Sequence, residues 1–313
     1  MKKAKVVITG GAGFIGSHLA EEWLSKNAEV WIIDNFRSGK KENLAHLEGY
    51  NLVEGSITDK ELVFEVLNGA DYVHNLAALV SVPESVENPY ECVDINVKGL
   101  LNVLEAAKFH NLRKVIHFSS AAVYGDNPET PKTTCMRPEP KSPYGITKLD
   151  GEYYLTGYKE NFGLNTLSFR CFNVFGPRQD PASQYAAAIP IFVSKALKNE
   201  DIIIYGDGEQ TRDFIFVRDV VRANITAAEN SFVSGVYNLG TGTSISINQL
   251  VALTLQLSNS NSRVVYEEER PGDIKHSLSS IEKTKKDLGF LPEYDLTDGL
   301  KSTILYFIEL FKG

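Results

Sequence analysis

The chain has 313 residues, 43% of them hydrophobic, enough for one large domain or two ordinary ones around a buried core. Its 40 acidic and 32 basic side chains give a formal net charge of −8, which argues against a general nucleic-acid or anionic-membrane binder and leaves any basic site local. Cys92, Cys135 and Cys171 are far apart, odd in number and in no metal-ligand spacing, so they read as reduced thiols of a cytoplasmic protein with no bound metal.

Three lysines, Lys2, Lys3 and Lys5, precede an apolar run that stops at Ile8, too short for a signal-peptide core, and no stretch approaches membrane-spanning length. The β-rich runs Val6 to Thr9, Glu29 to Asp34, Asn51 to Glu54, Asp71 to Leu76, Lys114 to Ser119 and Asn165 to Arg170 alternate with amphipathic stretches of helical length. That alternation predicts an α/β fold, a doubly wound parallel sheet covered by helices on both faces, with ligands at the carboxyl ends of the strands. After about residue 173 the alternation loosens into a loop from Asn173 to Pro181 and a helix near Ile189 to Asn199. "DFIFVRDVVRANITAAE" and "GVYNLG" then read as strand, helix and strand returning to the first sheet, so a smaller α/β lobe is interleaved with it.

Residues 10 to 16 hold four glycines in seven positions. Gly10, Gly13 and Gly16 fit G-x-x-G-x-x-G, and Gly11, Gly13 and Gly16 fit G-x-G-x-x-G. Either spacing gives a tight strand-to-helix turn, room for a pyrophosphate against the backbone, and a helix N-terminus facing the anion. Asp34 ends the second strand 18 residues beyond Gly16, where a carboxylate accepts both ribose hydroxyls and repels a 2′-phosphate, favouring NAD over NADP. Arg37 is the reservation, since it could pair with such a phosphate.

Ser142 and Pro143 read as the cap and first position of a helix that carries Tyr144 and Lys148 one turn apart on the same face. Of fourteen tyrosines, Tyr144 alone has a lysine four residues on, a spacing that chance also produces. Its company matters more. Ser119 and Ser120 end a predicted strand, and a serine hydroxyl, a tyrosine phenol and a lysine ammonium together suit oxidation of a secondary alcohol. In that reading the lysine and a cationic nicotinamide lower the tyrosine pKa.

These segments, with "NLAA" at 75–78, "DINVKG" at 94–99, "SSAAVYG" at 119–125, "SPYGITK" at 142–148, "RCFNVFGPRQ" at 170–179, "RDFIFVRD" at 212–219 and "RPGD" at 270–273, resemble the extended short-chain dehydrogenase/reductases of the NAD-dependent epimerase/dehydratase group along nearly the full chain. The resemblance implies a Rossmann NAD-binding domain at 1–172, with segments near 214–240 returning to it, and a substrate lobe mainly at 173–213 and 241–313. It makes Ser120 the catalytic serine, Tyr144 the base and Lys148 a ligand of the nicotinamide ribose. Cofactor contacts are implied for Gly10, Gly13, Phe14, Ile15, Gly16, Asp34, Asn35, Ser38, Gly39, Ser56, Ile57, Leu76, Ala77 and Ala78. Ser56 departs from the family, many members of which have an Asp contacting adenine there.

Dehydrating relatives carry an Asp-Glu pair right after the serine or threonine, and decarboxylating relatives a Glu two positions after it; here those positions are Ala121 and Ala122. Without that acid, the resemblance implies NAD-dependent 4-epimerisation of a UDP-hexose through a 4-keto sugar, with NAD retained between turnovers. Arg212 and Arg270 match the residues that hold the UDP diphosphate, Asn173 one on the diphosphate or sugar, Asp273 one on the uridine ribose, and Ser81 and Val82 the sugar pocket. Ser277 stands where epimerases restricted to plain hexoses carry a tyrosine, so UDP-GlcNAc and UDP-GalNAc are the expected substrates, with UDP-glucose and UDP-galactose also accepted. The alternatives are a uronate-sugar 4-epimerase, a net UDP-sugar oxidoreductase, or a non-catalytic NAD-binding sensor. Relatives dimerise through the helices around Asn88 to His110 and Tyr144 to Asn161, which implies a homodimer.

Overall fold

Val6, Val7 and Ile8 are all fully buried, Val6 and Ile8 in one hydrophobic core and Val7 in another. A strand with both faces covered is the interior of a parallel sheet. The computed structural model describes residues 3–181, 187–269 and 275–312. Its strands are β1 (Lys5–Thr9), β2 (Glu29–Asp34), β3 (Tyr50–Glu54), β4 (Tyr72–Asn75), β5 (Lys114–Ser120), β6 (Thr166–Cys171), β7 (Asn173–Phe175), β8 (Ile202–Tyr205), β9 (Thr211–Arg212), β10 (Phe214–Phe216), β11 (Gly235–Leu239), β12 (Ile245–Ser246) and β13 (Val264–Glu267). The helices are α1 (Phe14–Ser25), α2 (Lys60–Leu67), α3 (Val82–Glu87), α4 (Pro89–Val93), α5 (Leu100–Phe109), α6 (Pro143–Phe162), α7 (Ala188–Lys198), α8 (Val217–Glu229), α9 (Ile247–Ser258), α10 (Glu282–Leu288) and α11 (Leu296–Lys312).

Seven strands form one parallel sheet in the order β11-β6-β5-β4-β1-β2-β3. The winding reverses between β1 and β4, which opens a crevice at their carboxyl ends, as expected of a doubly wound Rossmann sheet. Residues of α2, α5 and α6 share a core with Val7, Ile33, Val73 and Val115. On the other face, Leu19, Ala20 and Trp23 of α1 and Val220 and Val221 of α8 join a core that continues without a break into α7, α9 and α11.

The expected strands recur with ends shifted by a residue or so, β2 with the bounds expected. Two expectations are corrected. Phe214–Phe216 does not rejoin the main sheet but pairs with Asn173–Phe175, inside the stretch expected to be loop; only β11 returns, beside β6. The chain leaves the main sheet after Cys171, and the released edge of β7 takes β10 as its neighbour, with Asn173 N donating to Asp213 O at 3.2 Å. The helix expected around Asn88 to His110 is α4 and α5 joined by a widened π stretch, Asp94–Gly99. No helix among the described residues is long and apolar enough to cross a membrane.

Candidate active site

The glycine turn sits at the carboxyl end of β1. Gly10 has φ +69°, and a Cβ there would stand 2.8 Å from Ala77 N, while a Cβ on Gly16 would stand 2.2 Å from Gly10 O. Those two glycines let β1, α1 and the chain after β4 approach one another. At Gly13 a Cβ would meet only Gly10 O, at 3.1 Å, so the space over it is kept clear of protein. Gly13 is also the extended N-cap of α1, whose free N–H groups face that space.

Asp34 is buried at the end of β2. Its Oδ2 accepts from Ala12 N at 2.8 Å and its Oδ1 from Phe36 N at 2.8 Å. The carboxylate thus holds the glycine turn and the next loop in place, with lone pairs to spare for ribose hydroxyls. Burial raises its pKa, and the two backbone N–H groups oppose that rise. Arg37 is engaged elsewhere: its Nη2 lies 2.9 Å from carboxylate oxygens of both Glu84 and Glu91.

On α6, Ser142 caps the helix by accepting from Gly145 N at 3.1 Å, and Pro143 occupies the first turn. Tyr144 N donates to Ser85 Oγ at 3.1 Å, and Lys148 Nζ donates to Phe118 O at 2.7 Å, which fastens the helix to β5. Lys148 Nζ lies 5.8 Å from the centre of the Tyr144 ring. Burial pushes the Tyr144 phenol up to about 12, against the pull of a hydrogen bond with Ser120, and pushes Lys148 down to about 8. The protein's own groups therefore hold Tyr144 as a phenol at neutral pH. The lowering expected from sequence rests on a cofactor's charge.

One continuous cleft of about 1390 Å³ collects these groups. It exceeds the roughly 300–1,000 Å³ of a pocket for a single small molecule, so it has room for a dinucleotide and a second ligand together. Gly10, Gly13, Phe14, Ile15, Gly16, Asp34, Asn35, Ser38, Gly39, Ser56, Ile57, Leu76, Ala77 and Ala78 line it, together with Ser120, Tyr144 and Lys148. Val82, Asn173, Arg212 and Ser277 line it as well. Ser81 is not among the lining residues, though its neighbours Val80 and Val82 are, and its hydroxyl caps α3 by accepting from Glu84 N at 3.2 Å. Ser56 spends part of its hydrogen-bonding capacity locally, 2.9 Å from Thr58 Oγ1. Arg270 and Asp273 lie outside the described residues.

Sequence reasoning missed the layer behind these groups. Glu152, one turn beyond Lys148, accepts from Ser119 Oγ at 2.5 Å and takes Arg170 bidentately at 2.9 and 2.7 Å, all three side chains buried. Burial opposes the Arg170 charge, yet Glu152 outweighs it and the net shift of the guanidinium is upward. Cys171, given no role from sequence, lines the cleft as a thiol pushed up to about 12 by burial.

A family model, "NAD dependent epimerase/dehydratase family", matches residues 6–240. The chain belongs to that family. It is 37% identical to a protein of Methanocaldococcus jannaschii described as a putative UDP-glucose 4-epimerase, over 96% of this chain and 97% of that one. It is 35% identical to a UDP-N-acetyl-alpha-D-glucosaminuronate decarboxylase of Bacillus cytotoxicus, over 98% and 99%. Among solved structures, the UDP-N-acetylglucosamine 4-epimerase of Methanobrevibacter ruminantium M1, in complex with UDP-N-acetylmuramic acid, superposes with a TM-score of 0.95 at 43% identity, covering 99% of this chain and 100% of that one. NAD is the family's cofactor, and the clear space over Gly13, the α1 N-terminus and the Asp34 carboxylate fit it.

Proposed function

We propose that this protein is a UDP-sugar 4-epimerase that keeps NAD bound between turnovers and prefers UDP-N-acetylglucosamine and UDP-N-acetylgalactosamine, with UDP-glucose and UDP-galactose as slower substrates. The observation that carries this reading is the meeting of Ser120, Tyr144 and Lys148 in one cleft whose next wall residues are Ala121 and Ala122. Elimination or decarboxylation in relatives draws on an acid there, and this chain has none.

When bound, NAD would accept and then return the hydride at C4, so that the sugar is oxidised to a 4-ketone and reduced on its other face. Tyr144 takes the proton of the 4-hydroxyl and returns it. Ser120 hydrogen-bonds the same oxygen, and the Lys148 cation, present below about pH 8, favours the tyrosinate. Arg212 offers a guanidinium to the diphosphate, Asn173 an amide to the diphosphate or sugar, and Ser277 leaves room for a 2-acetamido group. Arg270 and Asp273 remain assigned to the diphosphate and ribose on sequence grounds.

A uronate substrate would call for a cation near its carboxylate. Lys132 and Lys141 line the cleft wall after Ser120, but the Lys132 ammonium is held by Asn127 O and Glu129 O, and Lys141 faces Asp126 at 3.8 Å. Both engagements favour a neutral sugar. Exposed Tyr90, Val93, Ile146 and Tyr153 on α4 and α6 support a homodimer, for which light scattering at micromolar concentration should give twice the chain mass.

The test is incubation with UDP-N-acetylglucosamine and, separately, UDP-glucose, with no NAD added, followed by proton NMR of the 4-epimers. Conversion of both, faster for the acetamido sugar, is expected. Silence with both, persisting after NAD is added, would sink the reading.

A further inference from the structure

Because β1 lies between β2 and β4, the chain segments leaving those two neighbours stand on either side of the glycine turn. With strands about 4.8 Å apart, the two segments begin roughly 10 Å from each other across the mouth of the cofactor cleft. Arg37, on the segment after β2, bridges that gap. Its guanidinium pairs with Glu84 on α3 and Glu91 on α4, both reached by the chain after β4, at 2.9 Å each. The same segment is tied down at its far end, where Lys40 N donates to Ala12 O at 3.0 Å and Lys40 Nζ lies 2.8 Å from Asp180.

Arg37 lines the cleft, as do Val82 and Val86 of α3 on either side of Glu84, so the Arg37–Glu84 pair stands beside the cleft rather than over a remote surface. The three side chains are partly exposed, at 32%, 29% and 47%, which makes the bridge sensitive to salt. Two carboxylates on one guanidinium form a small network with a shared geometry, a stronger arrangement than an isolated surface pair.

We infer that Arg37, Glu84 and Glu91 form a strap across the glycine turn that slows the exit of bound NAD. The inference rests on the reading of this cleft as the NAD site. A cofactor regenerated in every turnover gains nothing from leaving, and a strap made of protein charges retains it without touching the reacting atoms. The strap also commits Arg37 to carboxylates, so that it does not serve a 2′-phosphate.

The test is cofactor exchange: protein loaded with NAD is chased with excess NADH, and the fluorescence of bound nicotinamide is followed with time. Arg37→Met, the pair Glu84→Gln and Glu91→Gln, and all three changes together are compared with the parent. Each variant should exchange about tenfold faster, and the triple variant no faster than Arg37→Met alone, because all remove one strap. Sodium chloride at about 0.5 M should speed the parent and leave the triple variant unchanged. Equal exchange in parent and variants overturns the strap, as does acceleration by Arg37→Met alone, which would mean a direct contact of Arg37 with the cofactor. If no preparation takes up NADH, denaturation separates the causes: released NAD leaves the cofactor site standing and the strap refuted, whereas none removes the cofactor site itself.

Discussion

Each end of the central sheet buries a lysine. At the amino end, Lys114 is 1% exposed and its ammonium donates to Asn230 O at 2.7 Å and Val233 O at 2.6 Å. At the carboxyl end, Lys148 is 3% exposed and, among the described residues, donates to Phe118 O alone. Burial pushes both down to about 8. The shift therefore does not separate site from scaffold. The surroundings do: Lys114 closes the turn between α8 and β11 with two of its three donors on carbonyls and no reacting partner beside it, whereas Lys148 lines an open cleft beside a tyrosine and a serine. A perturbed lysine marks chemistry only where donors are left over and a reacting partner is near.

The largest effect expected from this contrast is on turnover. Tyr144→Phe removes the group proposed to exchange the proton and should lower the NMR-measured conversion rate by about 10³-fold or more. Lys114→Met, at the other end of β5, should leave it within about twofold. Comparable losses in the two variants would mean that the carboxyl end is not the site of chemistry.

Next in size is the buried pair behind Ser119 and Ser120. Arg170→Met leaves Glu152 as an unpaired buried charge and should cost about 3–5 kcal/mol in a urea unfolding experiment. Adding Glu152→Gln should recover much of that loss, since the uncompensated charge is then gone. A cost below about 1 kcal/mol for Arg170→Met would show that the pair does not behave as buried.

That pair also marks the limit of what the sequence discloses. The glycine turn, Asp34 and the cap-to-lysine run of α6 are contiguous segments whose spacing carries their geometry, and β2 could be bounded from its residues. Glu152, Arg170 and Ser119 come from three elements, and nothing local announces their meeting. A signal was there: Ser119 and Arg170 stand opposite each other in the β5–β6 register, and Glu152 follows Lys148 by one helical turn. A buried arginine on a predicted inner strand demands an acid, and α6 supplies one on the face already assigned to the sheet. The β7–β10 pairing and the Arg37 bridge were illegible for the same reason, since both depend on which segments the tertiary fold brings side by side. Ser81 reads as a pocket residue by resemblance, whereas its local position, three residues before Glu84 at a helix start, already describes a cap.

The smallest effect is a stability difference whose sign runs against intuition. An exposed lysine titrates near 10.5, and Lys148 in the folded chain near 8. Between those values the unfolded chain holds a proton on this lysine that the folded chain has released, so the contribution of Lys148 to stability rises with pH across this window. Below about pH 8 both states are protonated and the full cost of the buried charge applies; above about 10.5 neither is, and the cost vanishes. Lys148→Met abolishes that cost and loses the bond to Phe118 O, worth about 1 kcal/mol. In matched cofactor-free preparations the variant should be more stable than the parent at pH 7, by on the order of 2 kcal/mol. The gap should close between about pH 8 and 10.5. Tyr144 and Cys171, both pushed up to about 12 by burial, lose their protons inside that window in the unfolded chain, but parent and variant carry both groups, and His117, lowered well below its ordinary range, titrates outside it, so the difference between parent and variant reports Lys148. A variant less stable than the parent at pH 7 would mean that the ammonium is better accommodated than one carbonyl allows. Lys148 would then resemble Lys114, and the contrast between the two ends of the sheet would fail.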